Sequence, residues 1–155
     1  MTTSEATAGL LTQLDQAWSD LHETISTRSE RDLTEPRDSA GWSAKDHLMH
    51  VAAWGHAFLA SLDGRPRHQA LGIDEATDGE EDTDAINAAI FAQHRHRSPG
   101  DVLDALRASH EAMRARVAKL RDSATLAQVP GNTFEHYAEH LGYVRELVAR
   151  NERKT

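Results

Sequence analysis

The stretch Gly41-Trp42-Ser43-Ala44-Lys45-Asp46-His47-Leu48-Met49-His50-Val51-Ala52-Ala53-Trp54 decides how this chain folds. Ser43 is a helix-capping residue type, and Asp46 three positions later makes a near capping box. Trp42 stands before the cap, where an apolar residue can staple the entering chain. From the cap onward the pattern is helical. Val51, Trp54, Phe58 and Leu62 fall on one arc at about 100° per residue. His47 lies within that arc, and His50 borders it one turn before Trp54. The spacing predicts a helix over 44–62, stopped by Gly64 and Pro66.

Three further long helices follow from the same reasoning. One covers about 4–27, with Ser4 as its cap and Leu10, Leu14, Ala17, Leu21 and Ile25 at helical spacing. Ser98-Pro99 opens another, running to about 120 on the stripe Val102, Leu106, Met113, Val117 and Leu120. The last begins after Asn132 or Thr133 and ends near 150. A shorter helix, about 84–97, turns Ile86, Ile90 and Phe91 inward. Residues 29–40 and 123–132 read as connections, and the acid-rich stretch 72–83 as a solvated loop. Its Glu80-Glu81-Asp82 run lacks the spacing of a calcium loop. With no strand signal, the expectation is one all-α domain over 1–155. It is a four-helix bundle with a long connection and an extra short helix between the second and third long helices.

Composition narrows the function. The 155 residues carry a formal net charge of -8, which argues against nucleic acid and anionic membrane surfaces as partners. No run approaches the ~18 apolar residues of a membrane span. The first residues lack a basic stretch followed by an apolar one. The expectation is a soluble, cytoplasmic protein. There is no cysteine, so disulfides and thiolate-ligated zinc are excluded, and any thiol chemistry needs a thiol from outside the chain. Ten histidines direct attention to metal.

The sharpest pair is His136 and His140, four apart and therefore one turn apart on one helix face. They flank the apolar arc of Phe134, Tyr137, Leu141, Val144 and Val148. His50 holds the same border position on another helix. Three imidazoles from two helices can grip one divalent ion and leave a position open for water or substrate. The competing reading is three unrelated histidines at the edge of the core. His110, in mid-stripe, reads as a hydrogen-bonded core residue, and His47 as either a packed or a pocket residue. His94 and His96 read as surface residues, with His94 able to reach a pocket mouth beside Phe91. His22, His56 and His68 read as exposed. Trp54 either lines the pocket or packs in the core.

The stretch 41–54 resembles the start of the second helix in DinB/YfiT-like proteins, where a Trp-Ser/Thr cap leads to a ligand histidine, here His50. Thr133-Phe134-Glu135-His136-Tyr137-Ala138-Glu139-His140 is similar to the second histidine motif of that superfamily. The middle of the chain also resembles its ClbS/DfsB-like and mycothiol-dependent maleylpyruvate isomerase-like branches. The resemblance implies a bundle holding zinc or nickel on His50, His136 and His140. It implies a metal-dependent enzyme transferring a low-molecular-weight thiol to a small electrophile. Alternatives are a ClbS-like hydrolase that opens a reactive natural product, and a non-catalytic ligand-binding bundle. Glu139 and His47 are the expected proton-handling residues, and Trp54, Tyr137, Phe91 and His94 the expected pocket lining. A homodimer is a further expectation, because related bundles pair through helices. Two departures stand out. The family's usual Trp-Glu or Trp-His is Trp54-Gly55 here, and the isomerase branch has a glutamate ligand where this chain has histidine.

Overall fold

A computed structural model describes residues 1–79 and 83–153. Every regular element among them is helical: α1 (Thr3–Ser26), α2 (Glu30–Thr34), α3 (Ala44–Leu62), α4 (Arg67–Leu71), α5 (Glu75–Asp78), α6 (Thr83–His94), α7 (Pro99–Val117), α8 (Ser123–Leu126), α9 (Val129–Asn132) and α10 (Phe134–Arg153). The four long helices α1, α3, α7 and α10 form the bundle. α3 packs on α7 and α10, and α1 closes the ring against the same two. Leu14, Leu21, Leu48, Leu106, Val117 and Val144 meet in its centre with at most 1 % of their surface exposed. Each such side chain contributes roughly 1.5–3 kcal/mol by leaving water.

Local chemistry sets the ends. The α3 capping box is complete: the Ser43 hydroxyl accepts from the Asp46 N–H, and the Asp46 carboxylate accepts from the Ser43 N–H at 2.8 Å. At α1 the cap is Thr2, not Ser4, because Glu5 stands three residues after Thr2 and returns the second bond to the Thr2 N–H. α6 stops at His94 rather than 97. The Lys45 ammonium of α3 donates to the Arg95 and Arg97 carbonyls, both at 2.8 Å, and so holds the turn that follows the helix.

The expected connections hold more structure than their composition suggested. Residues 29–40 contain α2, opened by a Ser29/Asp32 capping box. Residues 123–132 contain α8 and α9. The 72–83 stretch carries α5 and the start of α6. Its Asp78 is ion-paired to Arg67 at 2.6 Å and accepts from the His68 N–H at 3.0 Å, so this acid is docked rather than solvated. Glu80-Glu81-Asp82 lies outside the described residues. The Trp54-Gly55 departure also has a steric reason. A Cβ on Gly55 would sit 2.3 Å from Ser109 Oγ, which donates to the Ala52 carbonyl. Glycine lets α3 and α7 approach closely at that point.

Candidate metal centre

α3 and α10 cross with their histidine-bearing edges facing. His50, His136 and His140 each offer one ring nitrogen, and the three atoms lie within 4.8 Å of one another. His50 and His140 are each 7 % exposed, and His136 is half-buried. His50 Nε2 and His136 Nε2 stand 3.2 Å apart. Two nitrogens bound to one zinc at about 2.0–2.1 Å and a tetrahedral angle lie about 3.3 Å apart, so the spacing suits a shared ion. Nδ1 of His50 is buried and has no hydrogen-bond partner among the described residues. The donor set and the spacing are compatible with a metal site.

The electrostatics agree. Burial pushes the His50 imidazole down to about 3, and the neighbouring His136 and His47 rings push the same way. Burial likewise lowers His140, helped by His50, His136 and His47. His136 is lowered by burial against the opposing charge of Glu139. Neutral imidazoles carry the lone pairs that a cation needs.

Around the three rings stand two supports and an aromatic wall. His47 is 5 % exposed and both its nitrogens are engaged: Nδ1 faces His140 Nδ1 at 3.0 Å, and Nε2 faces Asp38 Oδ2 at 2.8 Å. It therefore backs His140 rather than opening toward a pocket. Trp42 packs its indole 5.1 Å from the His47 ring and 5.2 Å from the His50 ring, and stacks on Phe91 at 5.8 Å. The staple position thus serves the site. Trp54, half-buried, lies 6.3 Å from His50 and donates its Nε1–H to Asn87 Oδ1 at 2.9 Å. Tyr143 covers His140 and His47 with a ring that is 43 % exposed, and its hydroxyl donates to exposed Glu139.

Two expected pocket residues are placed elsewhere. Tyr137 is 2 % exposed; its hydroxyl meets His110 Nδ1 at 3.0 Å and its ring lies beside Trp18. Its position inside the apolar arc of α10 sends it into the core. His94 lines a separate hollow with Met49, His56, Gln69, Gln93 and Arg97. His56 and His68 are half-buried rather than exposed, because α4 folds back along α3. Asp38, Trp42 and Tyr143 were missed as site residues. Tyr143 had a readable signal, three positions after His140 on the same helix face.

No described helix is long and apolar enough to cross a membrane. No curated protein matches the chain significantly. A crystal structure of an uncharacterised protein from Escherichia coli UTI89 superposes with a TM-score of 0.75, covering 94% of each chain at 15% identity. That likeness is one of fold. The family model of the DinB superfamily matches residues 13–153, nearly the whole bundle with all three clustered histidines, and the chain belongs to the DinB superfamily.

Proposed function

We propose that this protein is a metal-dependent enzyme that transfers a low-molecular-weight thiol to a small electrophile, with zinc or nickel on His50, His136 and His140. One observation carries the reading: three neutral imidazoles from two helices, two buried and one half-buried, converge on one point. A divalent ion held there supplies the Lewis acidity that favours the thiolate form of a bound thiol. The chain contains no cysteine, so the sulfur comes from a cosubstrate.

The residues divide the remaining work. His50, His136 and His140 hold the ion. Glu139, exposed beside His136, accepts the thiol proton or passes it to solvent. Trp42, Phe91 and Trp54 give the substrate an apolar wall and restrict water on the His50 side. The sulfur forms its new bond to the electrophilic carbon, and the leaving group departs with its electron pair.

The test has two parts. Elemental analysis of untagged protein should find near-stoichiometric metal that is lost in His50→Ala. Conjugation of a low-molecular-weight thiol to a model electrophile should require both thiol and metal. Full activity in His140→Ala would overturn the assignment. Turnover without any added thiol would replace transfer with hydrolysis.

A further inference from the structure

Asp38 is held by the turn that leads into α3. Arg37 and Ser43 form an isolated antiparallel bridge, and the Asp38 N–H donates to the Trp42 carbonyl at 2.9 Å. Gly41, with φ of 87°, turns the chain between them where a side chain would be strained. Asp38 Oδ1 accepts from the backbone N–H groups of Ala40 at 3.0 Å and Trp42 at 2.9 Å. Only Oδ2 is left for His47. Burial works to raise this carboxyl. The hydrogen bonds from Trp42, His47 and Ala40 outweigh it and hold the group below the usual carboxylate range.

The donor and acceptor count along this chain has one consistent solution for neutral rings. An ionised carboxylate only accepts, so His47 Nε2 carries the proton. His47 Nδ1 is then bare and can only accept. His140 Nδ1, facing it at 3.0 Å, must donate, which leaves the lone pair of His140 on Nε2. We propose that Asp38 and His47 form a positioning dyad that fixes His140 in the Nδ1–H tautomer and so aims its Nε2 lone pair at the ion shared with His50 and His136. This rests on the metal-centre reading above and adds a residue, Asp38, nine positions upstream of His47 and outside every helix. Partners of this kind behind a ligand histidine typically change metal affinity by about 10–100-fold.

Asp38→Asn separates this role from simple packing. The amide oxygen must keep the two backbone N–H bonds, so the amide NH₂ turns toward His47 and donates. His47 Nε2 then accepts, its Nδ1 donates to His140, and His140 is driven into the Nε2–H tautomer that cannot ligate. An Asp→Asn change in an Asp–His pair selects the wrong tautomer in the same way. Asp38→Ala removes the preference without reversing it.

Nitrogen-15 NMR of the metal-free protein reads the tautomer of His140 directly, and zinc competition with a chelator reads affinity. Wild type should show Nδ1–H on His140, and Asp38→Asn should show Nε2–H. Zinc should bind about 10–100-fold more weakly to Asp38→Asn, with a smaller loss in Asp38→Ala. Circular dichroism should be unchanged, since the substitution is isosteric. A proton on Nε2 of wild-type His140, or an unchanged tautomer in Asp38→Asn, overturns the dyad whatever zinc does. A reversed tautomer with unaltered zinc affinity overturns its service to the ion. Correct tautomers in a wild-type protein that binds no zinc would sink the metal-centre reading instead, and are distinguished by the NMR arm alone.

Discussion

α10 serves two groups of buried rings, and they are built on opposite terms. Around His110, unlike partners meet. Its Nδ1 pairs with the Tyr137 hydroxyl, and its ring stacks on Trp18 at 4.1 Å and 6°. Around His50, like meets like. Ring nitrogens face ring nitrogens at 3.2 and 3.0 Å, and Nδ1 of His50 has no partner among the described residues. A hydroxyl can donate or accept as an imidazole requires, so the first group is stable by itself. The His47–His140 contact closes as a hydrogen bond, but the Nε2 atoms of His50 and His136, once both turn their lone pairs inward, repel until a cation lies between them. Burial alone therefore does not mark a functional histidine; the identity of its neighbours does.

The largest expected effect breaks this comparison most directly. Zinc at about a thousand times its Kd should stabilise the wild-type fold by about 4.1 kcal/mol, seen as a raised thermal midpoint. His140→Ala should show almost none of that gain, whereas His110→Phe should keep it. Equal responses in the two variants would mean that the two groups do not differ in kind.

A second experiment uses acid. Burial pushes the His110 ring down to about 4, with the Asp15 charge opposing and Arg114 adding to the shift. The unfolded ring, with its ordinary value of 6.5, takes up its proton first as pH falls. His110 therefore contributes its full stability above 6.5, loses it progressively as pH drops toward 4, and adds no further slope below that. The change should amount to on the order of 2–3 kcal/mol. In denaturant melts, His110→Phe should be the less stable protein at pH 7, with the Tyr137 hydroxyl left unpaired, and the two proteins should converge toward pH 4. A constant gap across that range would show that His110 is not buried as a neutral ring.

The sequence made these two groups only partly distinguishable. α3 could be read to the residue because both its ends carry local signals, the Ser43/Asp46 box and Gly64-Arg65-Pro66. The three clustered histidines were legible from the border position of His50 and the four-residue spacing of His136 and His140, both properties of a helix surface. Tyr137 lies in the apolar arc, and that position, which sends it into the core, argues against the expected place at the pocket. Asp38 could not be read at all. Its place depends on a bridge between Arg37 and Ser43 and on two backbone N–H groups, and neither leaves a periodic trace. The short helices α4, α5, α8 and α9 were lost for a related reason: four or five residues are too few to show a period.

The smallest effect is the one whose sign matters most. In metal-free protein, Nδ1 of His50 is a buried polar atom without a partner among the described residues, and such an atom costs about 1–3 kcal/mol. Leucine at position 50 removes that atom while keeping a comparable apolar volume beside Trp42. In a chelator-containing buffer, His50→Leu should raise stability by about 1 kcal/mol, after some loss to imperfect packing. With zinc present the order should reverse, because only wild type gains from the ion. Tyr137→Phe supplies the contrast: it should destabilise by about 1–2 kcal/mol with or without zinc, since it strips His110 of its partner. A centre that weakens its own fold until it is filled has been kept for binding, whereas one that strengthens the fold in both states has been kept for packing. If His50→Leu is destabilising in chelator by as much as Tyr137→Phe, then the His50 ring belongs with His110, as a packed core residue.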